Sequence, residues 1–323
     1  MYLTHNTVLN LQIKHSVVVL VYNQENSIRN ALDSILNQNI LPYEIIIGDD
    51  ASVDNTCDII KEYQFLYPKI IKPYFHSRNI GIFPNQNFLI NQVKGDVVSF
   101  LAGDDTFQPG LFFELNKVIH NNSIQLMSDF VIVTNTMSID KFGKKVICDN
   151  FKYRKTSAFK RRIRYSIDYR GVGISSALLK KAGKIPEDVG LNADWIWSLK
   201  IDHLSENHYY TPFISSIYYS GIGIVSKINR IDLAYSMVKV LPMVKLDFKN
   251  FLDNKDLLYL KLVENFEKYQ IEPIVLNYFK FVYSTILNFN NFDTNKSFIR
   301  AVNFIPKQIF DILFLLKSKL KTF

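Results

Sequence analysis

The feature that most constrains the fold is a rhythm running through about the first hundred residues. Short β-branched runs alternate with stretches whose apolar residues fall at helical spacing. Residues 16–22 (SVVVLVY) are too continuously apolar for a strand with one wet face and fit a strand buried on both sides. Over residues 25–37, Ile28, Ala31, Leu32, Ile35 and Leu36 mark the inner face of a helix. A second strand, residues 44–47 (EIII), ends in Gly48-Asp49-Asp50. Asp54 is placed to cap the next helix, which turns Ile59, Ile60 and Tyr63 inward. A weaker strand over 70–75, a helix after Pro84 carrying Phe88, Leu89 and Val93, and a strand over 96–101 (DVVSFL) complete the series. This order implies an α/β doubly wound sheet with ligands at the carboxyl ends of its strands.

From about Met127 the rhythm loosens into shorter strands, including 131–134 and 215–219, and beyond about Asn229 the pattern is helical. The division this predicts is a domain over 1–228 and a helical C-terminal region over 229–323. A run of Lys and Arg over 152–164 reads either as a solvated face or as a phosphate-binding surface. With 48% apolar and 21% charged residues, the chain excludes long disordered regions. The net charge of +8 admits nucleic acid, an anionic membrane or an anionic substrate. No nucleic-acid module accompanies the charge, so nucleic acid is not an expected partner. Cys57 and Cys148 have neither metal nor disulfide spacing, and the histidines form no zinc pattern. Neither G-x-x-x-x-G-K-[ST] nor G-x-G-x-x-G occurs, which removes the usual support for ATPase and NAD chemistry. The polar N-terminus and the lack of a long uncharged apolar run lead to an expected cytoplasmic location. Residues 306–323 place Ile309, Ile312, Leu313, Leu316, Leu320 and Phe323 on one helical face beside four lysines. That pattern suits either a helix packed on the protein or one lying on the inner face of the plasma membrane.

Two acidic pairs, Asp49-Asp50 and Asp104-Asp105, directly follow two of the expected strands. Carboxylates gathered at such strand ends can hold a divalent cation, and the cation can neutralise a diphosphate. Either pair alone could instead cap a turn.

The ordered set SVVVLVYN, EIIIGDDASVDNT, Arg78-Asn79-Ile80-Gly81 and KGDVVSFLAGDD resembles the family-2 glycosyltransferases of GT-A fold. The resemblance implies a mixed GT-A sheet, a nucleotide-sugar donor (a UDP-sugar) and Mn²⁺ or Mg²⁺. It implies that Tyr22 and Asp50 hold the nucleotide base, Asp104 the ribose and Asp105 the metal, with Arg78 within reach of donor phosphate. Further along, ALLKKAGKIPEDVGLNAD is similar to the stretch that precedes the family's catalytic base. Asp194 is the candidate base on this basis, and Asp188 of the Glu187-Asp188 pair is its rival. One carboxylate within hydrogen-bond reach suffices to take the proton of an attacking hydroxyl.

The reading is an inverting transfer to a hydroxyl of a growing bacterial surface glycan, lipid-linked in one form, of O-antigen, capsule or lipopolysaccharide type. Two alternatives stay open at this point. One is a non-catalytic sugar-nucleotide or glycan-binding module on the same fold, the other a nucleotidyltransferase.

Overall fold

The computed structural model describes residues 13–164, 171–205, 207–221 and 229–272. The chain begins with four parallel strands, β1 (His15–Val21), β2 (Glu44–Asp49), β3 (Ile71–Phe75) and β4 (Val97–Ala102), in spatial order β3-β2-β1-β4. Helices α1 (Ile28–Leu36), α2 (Thr56–Leu66) and α3 (Ile82–Ile90) make the crossovers. Ile28, Ala31, Leu32 and Ile35 of α1 enter one core cluster with Val17, Val19, Ile45 and Ile47. Each large apolar side chain fully buried there contributes about 1.5–3 kcal/mol relative to exposure. Helix α1 starts three residues later than its periodicity predicts, because Gln24 and Glu25 bond to the neighbouring β2–α2 loop instead. Val93 likewise falls beyond α3, and Phe88 is exposed on it.

The second half of the sheet is antiparallel to β4 where it joins. It comprises β5 (Thr106–Phe107), β6 (Phe130–Ile139), β7 (Lys145–Cys148), β8 (Gly173–Ser175) and β9 (Asn207–Tyr219), arranged as β4-β8-β6-β9-β5 with β7 on β6. Helices α4 (Leu111–Asn121), α5 (Ala158–Arg164), α6 (Ser176–Ala182) and α7 (Ala193–Leu204) intervene. Strands β6 and β9 are longer than the short runs legible in the sequence. They pair in parallel through irregularities at Val133/Asn135 and Asn135/Thr136. These absorb extra β9 residues around Pro212, whose carbonyl accepts from Asn135 Nδ2 at 3.3 Å.

The chain divides into two compact units. The first comprises Met1–Ala158, Ile167–Glu187 and Lys200–Lys227 and holds the sheet; the second comprises Phe159–Ser166, Asp188–Leu199 and Ile228–Phe323. Unit 2 therefore takes in two segments that lie before the boundary expected at residue 228. Its helices α8 (Arg230–Asp247) and α9 (Asn254–Ile271) pack together, and Asp253 caps α9 in a reciprocal box with Asp256. The basic run splits: Lys152, Arg154 and Lys155 are exposed, whereas Arg161 (1% exposed) and Arg162 are buried. Among the described residues no helix is long and apolar enough to cross a membrane. Residues 306–323, with their amphipathic pattern, lie outside the described residues.

Candidate active site at the strand ends

Parallel pairing of β1 with both β2 and β4 brings the two acidic pairs to one edge of unit 1. Val21 is opposite Asp49 and Leu20 is opposite Ala102. The pairing continues one step past the strands, with Asp50 N–H donating to Val21 O at 2.9 Å and Gly103 N–H to Leu20 O at 3.0 Å. Tyr22, half-buried, thus leaves β1 between the two pairs. Successive connections run from β1 toward β3 on one side and to β4 on the other, so this edge is where an open α/β sheet forms its ligand crevice.

At the end of β2 the two aspartates do different things. Asp49 is buried and holds its own turn: Oδ1 accepts from Ser52 Oγ at 2.5 Å, and Oδ2 accepts from Ser52 N–H at 3.0 Å and from the Cys57 thiol at 3.1 Å. Burial, with Asp49 beside it, pushes the Cys57 thiol up to about 11. Asp50, also buried, reaches across to the loop after β3. Its Oδ1 accepts from Ile80 N–H at 2.7 Å and its Oδ2 from Gly81 N–H at 2.9 Å. Gly81 adopts φ +93°, a conformation that disfavours any side chain. The carboxylate therefore anchors the segment on which the exposed Arg78 stands. An ionised carboxylate offers about four acceptor positions, so each oxygen keeps capacity for a ligand N–H. This anchoring links residues 30 apart in sequence and has no signature in local pattern.

The β1–α1 and β2–α2 loops are joined by further bonds. Asn23 N–H donates to Ser52 Oγ at 2.8 Å, Val53 N–H to Asn23 Oδ1 at 2.9 Å, and Gln24 N–H to Thr56 Oγ1 at 2.8 Å. Glu25 N–H donates to Asp54 Oδ2 at 3.1 Å, and the Glu25 carboxylate accepts from Asn55 Nδ2 at 2.7 Å. Asp54 Oδ1 also accepts from Thr56 N–H at 3.0 Å, so it supports the first turn of α2 from just outside.

At the end of β4 the chain folds back sharply, with Asp105 N–H donating to Ala102 O at 3.0 Å. A Cβ on Gly103 would lie 2.3 Å from Gln24 Oε1, so a larger residue here would displace the Gln24 side chain of the β1–α1 loop. Asp105 is 2% exposed, and its Oδ1 accepts from Tyr219 N–H at the end of β9 at 3.3 Å; Asp104 is half-buried. Among the described residues no three His, Cys, Asp or Glu side chains cluster as a complete metal cage. One hard carboxylate ligand, with the remaining positions left to phosphate and water, suits Mg²⁺ or Mn²⁺, which such sites bind together with a diphosphate.

The structure brings Tyr22, Asp50, Asp104 and Asp105 together in unit 1. Asp194 stands in unit 2, exposed in the first turn of α7. Its approach loop is fastened to α8 by residues the sequence pattern did not single out. Ser236 Oγ accepts from Asn192 N–H at 2.8 Å and donates to Val189 O at 2.9 Å, while Asn192 Nδ2 donates to Leu233 O at 3.0 Å. Gly190, at φ +83°, packs where a Cβ would lie 3.1 Å from Ser236. In the rival pair Glu187-Asp188, the Glu187 carboxylate accepts from Asn87 Nδ2 at 2.8 Å and Asp188 is exposed.

Known proteins match this architecture. A solved structure of Staphylococcus aureus TarS, residues 1–349 in complex with UDP-GlcNAc, aligns with TM-score 0.61 at 18% identity, covering 90% of this chain and 82% of that one. The mannosyltransferase PcManGT from Pyrobaculum calidifontis, in complex with GDP-Man and Mn²⁺, aligns with TM-score 0.58 at 16% identity, covering 90% and 86%. At these identities the likeness shows the fold, which is GT-A. The uncharacterized protein Rv1520 of Mycobacterium tuberculosis is 41% identical over 91 residues, 28% of this chain and 26% of that protein. The matched stretch thus spans about a quarter of such a relative's length. The family model for glycosyl transferase family 2 matches residues 16–182, more than half of the sequence. The chain belongs to glycosyl transferase family 2.

Proposed function

We propose that this glycosyltransferase is inverting and metal-dependent, and that it moves a sugar from a UDP-sugar to a hydroxyl of a lipid-linked bacterial surface glycan. The observation that supports the reading is the parallel pairing of β1 with β2 and β4, whose carboxyl ends lead into Tyr22, Asp50 and Asp104-Asp105. Structural neighbours with bound UDP-GlcNAc, and with GDP-Man and Mn²⁺, support the donor class and the metal.

In this mechanism Tyr22 lies against the base and Asp50 accepts its imide N–H through the lone pairs that Ile80 and Gly81 leave. Asp104 takes the ribose hydroxyls, and Arg78 meets the diphosphate. Asp105 would hold the cation, which when bound supplies Lewis-acid neutralisation of the leaving diphosphate. Asp194 removes the proton of the acceptor hydroxyl as its oxygen forms the new bond to the anomeric carbon. The bond from that carbon to the diphosphate breaks on the opposite face, so configuration inverts without a covalent intermediate. The amphipathic residues 306–323 would keep the enzyme on the inner face of the plasma membrane, beside a lipid-linked acceptor.

The test is a donor screen. Nucleotide sugars are incubated with Mn²⁺ or Mg²⁺, and released nucleoside diphosphate is measured. A UDP-sugar should be turned over, and Asp105→Ala should abolish metal-dependent donor binding in calorimetric titration while leaving the fold intact. Unchanged affinity in Asp105→Ala would sink the metal assignment. Release of pyrophosphate from a nucleoside triphosphate would favour nucleotidyl transfer.

A further inference from the structure

The β6–β7 hairpin presents seven consecutive exposed residues, Lys141 to Ile147. Its tip is a tightly built turn: Gly143 N–H donates to Asp140 O at 2.9 Å, and Asp140 Oδ1 accepts from Phe142 N–H at 2.9 Å and Lys144 N–H at 3.0 Å. Gly143 takes φ +80°, the left-handed position of a three-residue hairpin loop. A rigid turn thus holds Phe142 83% exposed, with the Lys141 ammonium 5.1 Å from its ring centre. Val146 (44%) and Ile147 (54%), on opposite faces of the strand that leaves the turn, are exposed as well, and Lys144 and Lys145 stand beside them. Lysines alone would be ordinary protection of an edge strand. An aromatic ring and two β-branched side chains set among three lysines are the opposite of that protection.

The hairpin also has a fixed relation to the acid pair. Lys145 pairs with Ile139 on β6, Ile139 pairs with Tyr219 on β9, and Tyr219 N–H donates to Asp105. Two strand spacings, about 10 Å, therefore separate Lys145 from the residue that touches Asp105.

We propose that the β6–β7 hairpin is a docking element for an anionic lipid bilayer. Phe142, Val146 and Ile147 enter the headgroup region, and Lys141, Lys144 and Lys145 meet the lipid phosphates. The lysine stems and the aromatic ring are groups that partition at such an interface. The exposed apolar trio favours lipid over a hydrated polyanionic glycan, which would have no place for it. Docking of this kind needs no particular donor or acceptor. Only its consequence, bringing the strand-end crevice near a lipid-linked acceptor, rests on the function proposed above.

The experiment is flotation of the full chain with two kinds of vesicle, phosphatidylcholine alone and equal parts phosphatidylcholine and phosphatidylglycerol. Wild type should float with the anionic vesicles only. Each lysine near an anionic surface is worth roughly fivefold in partition, so K141Q/K144Q/K145Q should lose about a hundredfold at low salt. Phe142→Ala should lose severalfold, by an amount that salt barely changes. K69Q/K72Q/K94Q removes the same charge from exposed positions elsewhere and should float like wild type. Wild type failing to bind overturns the proposal. So does wild-type flotation by both hairpin variants, which would give the contact to another segment such as residues 306–323. An equal loss in K69Q/K72Q/K94Q would also overturn it, by making the effect one of net charge alone.

Discussion

The strand-end loops of β1 and β2 and the α8–α9 pair both keep carboxylates beside a core, and they do so by opposite means. At the strand ends Asp49, Asp50 and Asp54 accept from neutral donors: backbone N–H groups, serine and threonine hydroxyls and a thiol. In unit 2, Glu264 meets Lys245 at 2.6 Å and Lys268 at 2.6 Å, and Lys160 meets Asp253 at 2.5 Å. Neutral donors fix the position of a carboxylate without cancelling its charge; ammonium groups cancel it. The first arrangement leaves a negative crevice that can attract a cation or an imide N–H. The second only fastens helices to one another, and partly exposed ion pairs of this kind contribute little each. Charge compensation thus differs between these two regions.

The strongest challenge to this division comes from Asp194, the one chemical role assigned to unit 2. Asp194→Asn removes the proton acceptor at nearly constant size. Donor binding by calorimetry should survive, and turnover should fall by about 10²–10⁴. Should Asp188→Asn prove crippling and Asp194→Asn harmless, the base belongs to the loop before α7.

A buried group in unit 1 tests the same contrast through pH. His15 on β1 stacks on Phe112 with ring centres 4.9 Å apart, and its Nε2 lies 2.6 Å from Asn116 Oδ1. Burial lowers its pKa from 6.5 to about 4, against the opposing effects of Asn116 and Asp96. Below 6.5 the unfolded chain therefore binds a proton that the folded chain refuses until about 4. Stability should fall as pH falls through that window, by about 3 kcal/mol in all. Urea titrations across it should show the slope, and His15→Gln should flatten it. An unchanged slope in the variant would assign the effect to other groups.

A smaller effect is expected from Asp50→Asn. The amide can accept from one of Ile80 and Gly81 but turns its NH₂ toward the other N–H. Losing one charge-assisted bond costs about 1.5–3 kcal/mol. Amide exchange at Ile80 and Gly81 should quicken, and donor affinity should drop with it. If affinity drops while exchange at both amides stays slow, Asp50 acts on the ligand alone and does not position the Arg78 loop.

Legibility in the sequence follows the range of the interactions. Strands β1, β2 and β4 could be read because their β-branched runs are buried on both faces, and the acidic pairs mark their ends. The places of Tyr22, Asp104 and Asp105 just past the strand ends follow from that order, while the roles given to them rest on the family resemblance. The anchoring of Ile80 and Gly81 by Asp50 could not be read, because nothing local links a carboxylate to amides in another crossover. Strands β6 and β9 looked short because Asn135 and Pro212 resemble turn residues, whereas the structure accommodates both in a bulge. Arg161 and Arg162 fall in a run that reads as a solvated face or a phosphate-binding surface, both exposed, since burial of a guanidinium is invisible to a charge count. The fastening of the Asp194 loop by Ser236 was hidden for the same reason as the Asp50 anchor: it joins elements 44 residues apart.

The smallest expected effect sharpens the other side of the comparison. Burial would raise the Glu264 carboxyl, but the hydrogen bonds and charges of Lys245, Lys268 and Lys261 outweigh it and hold the group at about 2. A depressed carboxyl contributes stability above its ordinary range and loses it only as pH falls through the folded value. Glu264→Gln should therefore cost stability near neutral pH, and the difference from wild type should persist at about pH 4, where an ordinary glutamate is already largely protonated. Because the three lysines are partly exposed, solvent screening limits the cost to about 1 kcal/mol. Most of that difference should vanish in about 1 M salt, where charges a few ångströms apart are already screened. The Asp50 bonds to Ile80 and Gly81, made to backbone amides in a buried site, should change little under the same salt. Urea melts of Glu264→Gln and Asp50→Asn at low and high salt compare the two directly. A salt-insensitive Glu264 effect, or a salt-sensitive Asp50 effect, would mean that the two regions are held by the same physics.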